Sequence, residues 1–234
     1  MKKALLAIFF IAVLSSCKMI SGNGNVKKET RNAGTFAKIH SSGSADVVIS
    51  SGSSCSVPVE DDDNLLPYLE TNVENGTLQI HYRHGVSVTN DHAKIYITAP
   101  TLSDVTTSGA SNITVSGLLQ NPDKISFNTS GVGNIEGEVD APAVSATISG
   151  AGTVKLHGHT KDFDCELSGV GHADCGNLES ENTTVSVSGV GDAHVFASVH
   201  LSATVSGTGS VRYRGSPQNP EIHTSGVGSV TPEN

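Results

Sequence analysis

Tryptophan is absent from the chain, and Phe and Tyr together make up an aromatic fraction of only 4%. A conventional β-sandwich of 234 residues carries more bulky core side chains, so a narrower core of Val, Ile, Ala and Thr fits better. Basic residues are also scarce: 14 Lys and Arg stand against 23 Asp and Glu, a formal charge of −9. That balance disfavours nucleic acid or an anionic lipid surface as the main partner, and it suits a soluble secreted protein. Cysteines number four and show no zinc spacing, and no metal or cofactor motif occurs. Low aromatic content does not signal disorder here, because the apolar residues alternate regularly.

The N-terminus reads as an export signal. Met1-Lys2-Lys3 is a basic start, and Ala4 to Leu14 is an apolar run too short for a permanent membrane span. The run ends Leu14-Ser15-Ser16-Cys17, which resembles the lipobox of bacterial lipoproteins. That resemblance implies a signal peptide over 1–16, cleavage before Cys17 and acylation of Cys17, by palmitate among other chains. Several acyl chains hold a protein durably to a membrane, and the expected location is the outer membrane of the cell envelope, facing either side. Residues 17–33 are polar and aperiodic, and they are expected to form an acylated flexible tether. Without Lys2 and Lys3 the charge becomes −11.

What the chain has in abundance is glycine, 25 residues, much of it in one returning phrase. SGVGNIEG, SGAGTVKL, SGVGHADC, SGVGDAHV, SGTGSVRY and SGVGSVTP follow one another from Ser130, after looser copies at Ser42 and Ser108. From Ser108 the steps are 22, 19, 19, 20, 18 and 19 residues. A fixed period near 20 marks stacked structural repeats. Three residues before each serine stand Ile39, Val105, Phe127, Ala146, Cys165, Val185, Ala203 and Ile222. Five after it stand Val47, Ile113, Ile135, Val154, Ala173, Ala193, Val211 and Val230. Both columns are wholly apolar, and polar residues alternate with them. Alternation on both sides of a glycine pivot predicts two strands per repeat with a sharp corner between them. At the corner glycine permits either a positive φ or a close approach of neighbouring turns.

The predicted fold over 34–231 is therefore an all-β, right-handed parallel β-helix, or solenoid, with coils of about 20 residues. An antiparallel β-meander with a hairpin at each Ser-Gly is the alternative. Gly-rich phosphate loops feed helix N-termini, whereas each Ser-Gly here feeds a strand, so the phrase is a corner and not a nucleotide motif. Between Ser42 and Ser108 the repeat lapses. There Asn75-Gly76, flanked by alternation, predicts a hairpin. Asp61-Asp62-Asp63 lacks the wrapping Gly turn of a calcium loop, so Asp63 or Asn64 is expected to cap a short helical turn.

The lipobox, the Phe36–Ile49 and Asn75-Gly76-Thr77-Leu78 stretches and the serial SGVGN and SGAGT copies resemble the family called putative auto-transporter adhesin, head GIN domain. The resemblance covers roughly residues 34–230. It implies a β-helical fold on a Bacteroidetes-type envelope lipoprotein, and it brings no catalytic residues.

Any function must then lie in what differs between coils. Six residues after the serines, Glu136, Lys155, Asp174, His194 and Arg212 form a charged ladder, read as acid–base pairing or as a ligand groove. The main reading is a non-enzymatic envelope lipoprotein: an adhesin or a scaffold binding carbohydrate or an envelope protein, with homo-oligomerisation open. The alternative is a carbohydrate-active β-helix enzyme, a lyase or glycosidase, with Asp174 and Asp192 as the nearest paired carboxylates. Scarce aromatics weigh against sugar stacking. His157 and His159 share one strand face without a third ligand, and they read as solvated. Cys165 and Cys175 face inward across one corner, so a disulfide and two buried thiols both stay open, leaving Cys55 unpaired.

Overall fold

A computed structural model describes residues 18–233; the export segment and Cys17 lie outside these described residues. The apolar columns become the two ladders of one sheet. In chain order the strands are β1 (Lys18–Ser21), β2 (Val26–Arg31), β3 (Lys38–Ser41), β4 (Asp46–Ser51) and β5 (Val57–Asp62). A single 3-10 turn (Leu66–Tyr68) then leads to β6 (Leu69–Glu74), β7 (Thr77–Tyr82), β8 (Val86–Thr89) and β9 (Lys94–Ala99). The regular part follows as β10 (Asp104–Thr107), β11 (Ile113–Gln120), β12 (Lys124–Thr129), β13 (Asn134–Ile148), β14 (Thr153–Leu167) and β15 (His172–Val187). It ends with β16 (Asp192–Phe196), β17 (His200–Val205), β18 (Ser210–Arg214), β19 (Glu221–Thr224) and β20 (Ser229–Pro232).

Each Ser-Gly corner joins one ladder to the other. Before the corner the order is β7, β3, β10, β12, the C-terminal halves of β13, β14 and β15, then β17 and β19. After the corner it is β9, β4, β11, the N-terminal halves of β13, β14 and β15, then β16, β18 and β20. Every one of these pairings is parallel, which overturns the meander. The register matches the sequence columns residue for residue: Val105 pairs with Phe127, Phe127 with Ala146, Ala146 with Cys165 and Cys165 with Val185. Their side chains fill a narrow apolar core, and burial of each Val, Ile or Leu contributes roughly 1.5–3 kcal/mol.

The first coil is built out of sequence order. β7 and β9 stack outside β3 and β4, although they come later in the chain. The polypeptide therefore starts in the second coil, builds the first, and returns at β10 to lie on the far side of β3. Leu78 and Ile95 extend the two core columns by one coil that has no Ser-Gly. Its corner is an excursion through β8, which pairs with β1. The predicted hairpin joins β6 to β7, with Asn75 and Gly76 both at positive φ, 51° and 76°.

This end of the solenoid is closed by reversal of strand direction. β5 runs antiparallel to β9, and β2 antiparallel to β5. Leu65, Leu66 and Leu69 plug the cylinder beneath them. The expected tether is corrected here, because residues 18–31 supply two strands, β1 and β2. β2 is polar after Val26 and so gave no apolar period, yet its backbone completes the edge. Lys28 Nζ sits 4.1 Å from the Tyr96 ring centre, and Arg31 donates to Leu66 O at 2.8 Å. Among the described residues no helix is long and apolar enough to cross a membrane.

The corner glycines serve close approach, not positive φ. A Cβ on Gly169 would lie 1.9 Å from Gly150 O, and one on Gly150 would lie 1.9 Å from Gly131 O. The same clash recurs at Gly131, Gly189, Gly207 and Gly226. Gly43 occupies the same column but has nothing within 4 Å of the added carbon. Gly169→Ala is therefore expected to cost about 1–3 kcal/mol in denaturant unfolding, as overpacking does, and Gly43→Ala much less. Equal costs at the two sites would contradict this packing account.

Candidate ligand groove

The outward side chains of the after-corner ladder create a groove. Their period-two alternation breaks in β11, at Ser116 to Leu118, and again in β15, where Cys175 and Gly176 are both buried. The register shifts there: Lys155 pairs with Asp174, but His157 pairs with Asn177. This bulge aims Asn177 and Glu179 outward beside His157 and His159 and leaves Gly176 without a side chain to fill the surface. A cleft of about 370 Å³ results, lined by Glu136, Lys155, His157, His159, Asp174, Asn177 and Glu179 among others. A second, of about 420 Å³, is lined by Gly176, Asn177, Glu179, Phe196, Arg214, Gly215 and Glu233. Asn177 and Glu179 belong to both, so the two form one groove across successive coils.

Three members of the charged ladder, Glu136, Lys155 and Asp174, are brought together in the first cleft. His194 and Arg212 continue the column on β16 and β18, with Arg212 Nη1 3.3 Å from His194 Nε2. The expected acid–base pairing does not form as ion pairs. Among the described residues the groove's close acid–base contact is instead His159 Nδ1 to Glu179 Oε2, 3.3 Å. Arg214 Nη1 donates to Asn177 Oδ1 at 2.8 Å across the second cleft. Phe196 stands next to Arg214 on the outward face, half-buried. Sequence reasoning missed Phe196, Asn177 and Arg214. Phe196 lies one step beyond the apolar column residue Val195, and that alternation was the available signal.

The paired-carboxylate reading loses its geometry. Asp174 is in the groove, but Asp192 lines neither cleft. Its Oδ1 accepts from Ser210 Oγ at 2.5 Å and Ser210 N at 3.0 Å, and the Ser210 hydroxyl bond first of all holds its carboxyl below the usual range. An acid kept ionised in this way is a poor proton donor. His157 and His159 both project outward, as expected. Among the described residues no cluster of three or more His, Cys, Asp or Glu is arranged to hold a metal.

No disulfide joins Cys165 and Cys175. Both are free and buried, and they stand on opposite ladders of successive coils. Burial pushes both thiols up, Cys175 to about 12, so they behave as core hydrophobes. Cys55 is half-buried and also free.

The aspartate triplet does not cap the 3-10 turn, whose start has no side-chain cap. It clamps the N-terminal segment instead. Asp61 is buried and accepts from Tyr82 Oη (2.6 Å), Asp62 N (2.8 Å) and His92 N (3.1 Å). Asp62, also buried, accepts from Gly24 N and from His92 Nδ1, the latter at 2.8 Å. Asp63 binds Asn23, Asn25 and Lys27. The His92 bond holds the Asp62 carboxyl low, and the same bond raises His92.

The family described as "Putative auto-transporter adhesin, head GIN domain" matches residues 35–217. Among solved structures, a putative adhesin from Bacteroides fragilis superposes with a TM-score of 0.86 at 25% identity, covering 92% of this chain and 100% of its own. A putative lipid binding protein from Parabacteroides distasonis gives 0.78 at 22% identity, with 93% and 100% covered. A putative adhesin from Parabacteroides merdae gives 0.74 at 19% identity, again with 93% and 100% covered. The last two establish likeness of fold alone. No protein of curated function matches the sequence.

The clamp generates a pH prediction. Asp62, lowered from 3.8, contributes stability above that value and loses it as pH falls through its lower folded pKa. His92, raised from 6.5, contributes fully below 6.5 and loses it as pH rises through its higher folded pKa. The N-terminal segment is thus held best between these values. Proteolytic cutting within 18–31 is expected to accelerate on going from pH 6 to pH 8.5, with a flatter response in His92→Gln. An identical acceleration in His92→Gln would contradict the clamp.

Proposed function

This chain belongs to the family described as "Putative auto-transporter adhesin, head GIN domain", and from that premise we propose that it is a non-catalytic binding head on a lipid anchor in the cell envelope. The anchor is Cys17, in the lipobox context Leu14-Ser15-Ser16-Cys17. A signal peptide over 1–16 delivers the chain, and acylation at Cys17 tethers it to the outer membrane. The family and its structural neighbours carry adhesin or lipid-binding names, in keeping with a binding role.

The observation that carries the binding role is the continuous groove of two clefts sharing Asn177 and Glu179. Each cleft falls within the usual size of a small-molecule site. One wall offers an apolar ring, Phe196, and around it stand the donors Arg214 and Asn177 and the acceptors Glu179 and Glu233. A ring face with convergent polar groups suits a sugar unit, and strand spacing of about 4.8 Å between coils suits an extended polymer of such units. The ligand is therefore a linear carbohydrate. The charged rims are poorly matched to an acyl chain.

Binding of the full chain to a panel of envelope and mucosal glycans tests the proposal. A bound glycan is expected, with affinity falling about tenfold in Phe196→Ala, equivalent to about 1.4 kcal/mol, and further in Arg214→Ala. No binding to any glycan, or binding indifferent to both substitutions, would refute the groove as the site. Metabolic labelling with palmitate tests the anchor independently, with incorporation lost in Cys17→Ser; unchanged labelling would refute it.

A further inference from the structure

The corner carries one more column, used by neither core nor groove. Two residues after each corner serine, the chain from Ala110 to Val227 reads Ala-Val-Ala-Val-Val-Thr-Val, one residue per coil, all exposed. The valines Val132, Val170, Val190 and Val227 are 61%, 57%, 63% and 88% exposed. Their amides are already satisfied: Val170 N donates to Gly150 O at 3.1 Å and Val190 N to Gly169 O at 3.0 Å. Six of the seven side chains facing out are aliphatic, and Thr208 adds the one hydroxyl. The fold does not require this, since Ser44 occupies the same position one coil earlier and Thr208 does so within the column. An aliphatic rail that folding does not demand calls for a partner.

We propose that this rail is an interface with a second copy of the chain, packed antiparallel about a twofold axis through Val170. The choice of occupant rests on charge, area and fit. The shoulders of the rail are the corner serines on one side and the Asn112, Asn134, Thr153, His172, Asp192, Ser210 and Ser229 column on the other, with no Lys or Arg in either. An anionic membrane has nothing to grip there, and the chain's charge of −9 opposes it. Seven coils make a rail roughly 29 Å long at about 4.8 Å per step. With its shoulders it offers on the order of 500 Å² per copy, so a pair reaches about 1,000 Å², the lower bound for a specific interface.

The fit selects the register. Val170 is the middle of the seven positions, so only a twofold through Val170 overlaps them all. Val170 then meets its own copy, Ala151 meets Val190, Ala110 meets Val227, and Val132 meets Thr208. Each alanine faces a valine, so large fills against small at those contacts, while like meets like at Val132 with Thr208 and at Val170 with its copy. On the shoulder Asp192 falls opposite Thr153, and no acid meets an acid. A parallel pair would set alanine on alanine and leave gaps. The antiparallel pair also puts the two N-terminal caps at opposite ends. If both chains carry the anchor proposed at Cys17, such a pair joins two facing membranes, a consequence that rests on that reading while the interface does not.

Disulfide trapping in the full chain tests this, in a Cys55→Ser background that removes the half-buried thiol. Val170→Cys is expected to form a covalent dimer under mild oxidation. Val132→Cys mixed with Thr208→Cys is expected to do the same, and Val132→Cys alone is not. Trapping by Val132→Cys alone would overturn the antiparallel register. A strictly monomeric wild type in sedimentation at high micromolar concentration would overturn the interface. Val170→Lys, on an exposed side chain, is expected to abolish the dimer with an unchanged melting temperature, and an unaltered dimer would overturn the rail as the contact. A monomeric wild type that binds neutral lipid vesicles through Val170 would assign the rail to a membrane and overturn the proposal.

Discussion

The structure depends on one hydrogen bond repeated at each Ser-Gly corner from Ser108 onward: the amide two residues after the serine donates to the glycine carbonyl of the coil before. Ala151 to Gly131, Val170 to Gly150 and Val227 to Gly207 are three of these, between 2.9 and 3.1 Å. The bond brings two corner backbones so close that no Cβ fits between them. That single steric limit keeps glycine in the corner column and holds successive coils in register. Register in turn stacks apolar residue on apolar residue, so a core without tryptophan can still be continuous. The same stacking turns one-per-coil outward positions into straight lines, which is how a groove and an aliphatic rail arise from scattered sequence positions.

Most of the solenoid was legible because its columns are strict. Inward residues three before and five after the serine are apolar in all eight copies, and the observed pairing follows those columns without a slip. Out-of-order stacking of β7 and β9 was not legible, because periodicity reports what a strand looks like and not which coil it joins. β1 and β2 were also hidden. β1 has only Met19 and Ile20 and β2 only Val26 as apolar residues, none of them buried, so their pairing rests on backbone bonds and on contacts such as Arg31 with Leu66 O. The aspartate triplet misled for a related reason: its partners, Gly24 and His92, are distant in sequence.

The groove was half legible. Glu136, Lys155 and Asp174 were placed in one column from spacing alone, and the structure sets them in one cleft. The extra residue at Gly176 was invisible, since a single insertion in a run of 20 looks like ordinary drift of the period. Yet that bulge turns Asn177 and Glu179 outward and lets the two clefts join. Thus the regular part of each coil serves as a chassis, and the departures from regularity carry what is specific to this protein. Polar chemistry is gathered on the after-corner face, whereas the corner itself stays uncharged along seven coils.

Native-state hydrogen exchange on the full chain tests the corner bond most directly. The amides of Val132, Ala151, Val170 and Val190 belong to exposed turn residues, which exchange quickly when they have only water as partner. The corner account predicts that they exchange as slowly as strand amides of Val154 and Val185 in the buried ladders. Exchange at the rate of free loop amides, with the strands still protected, would contradict it.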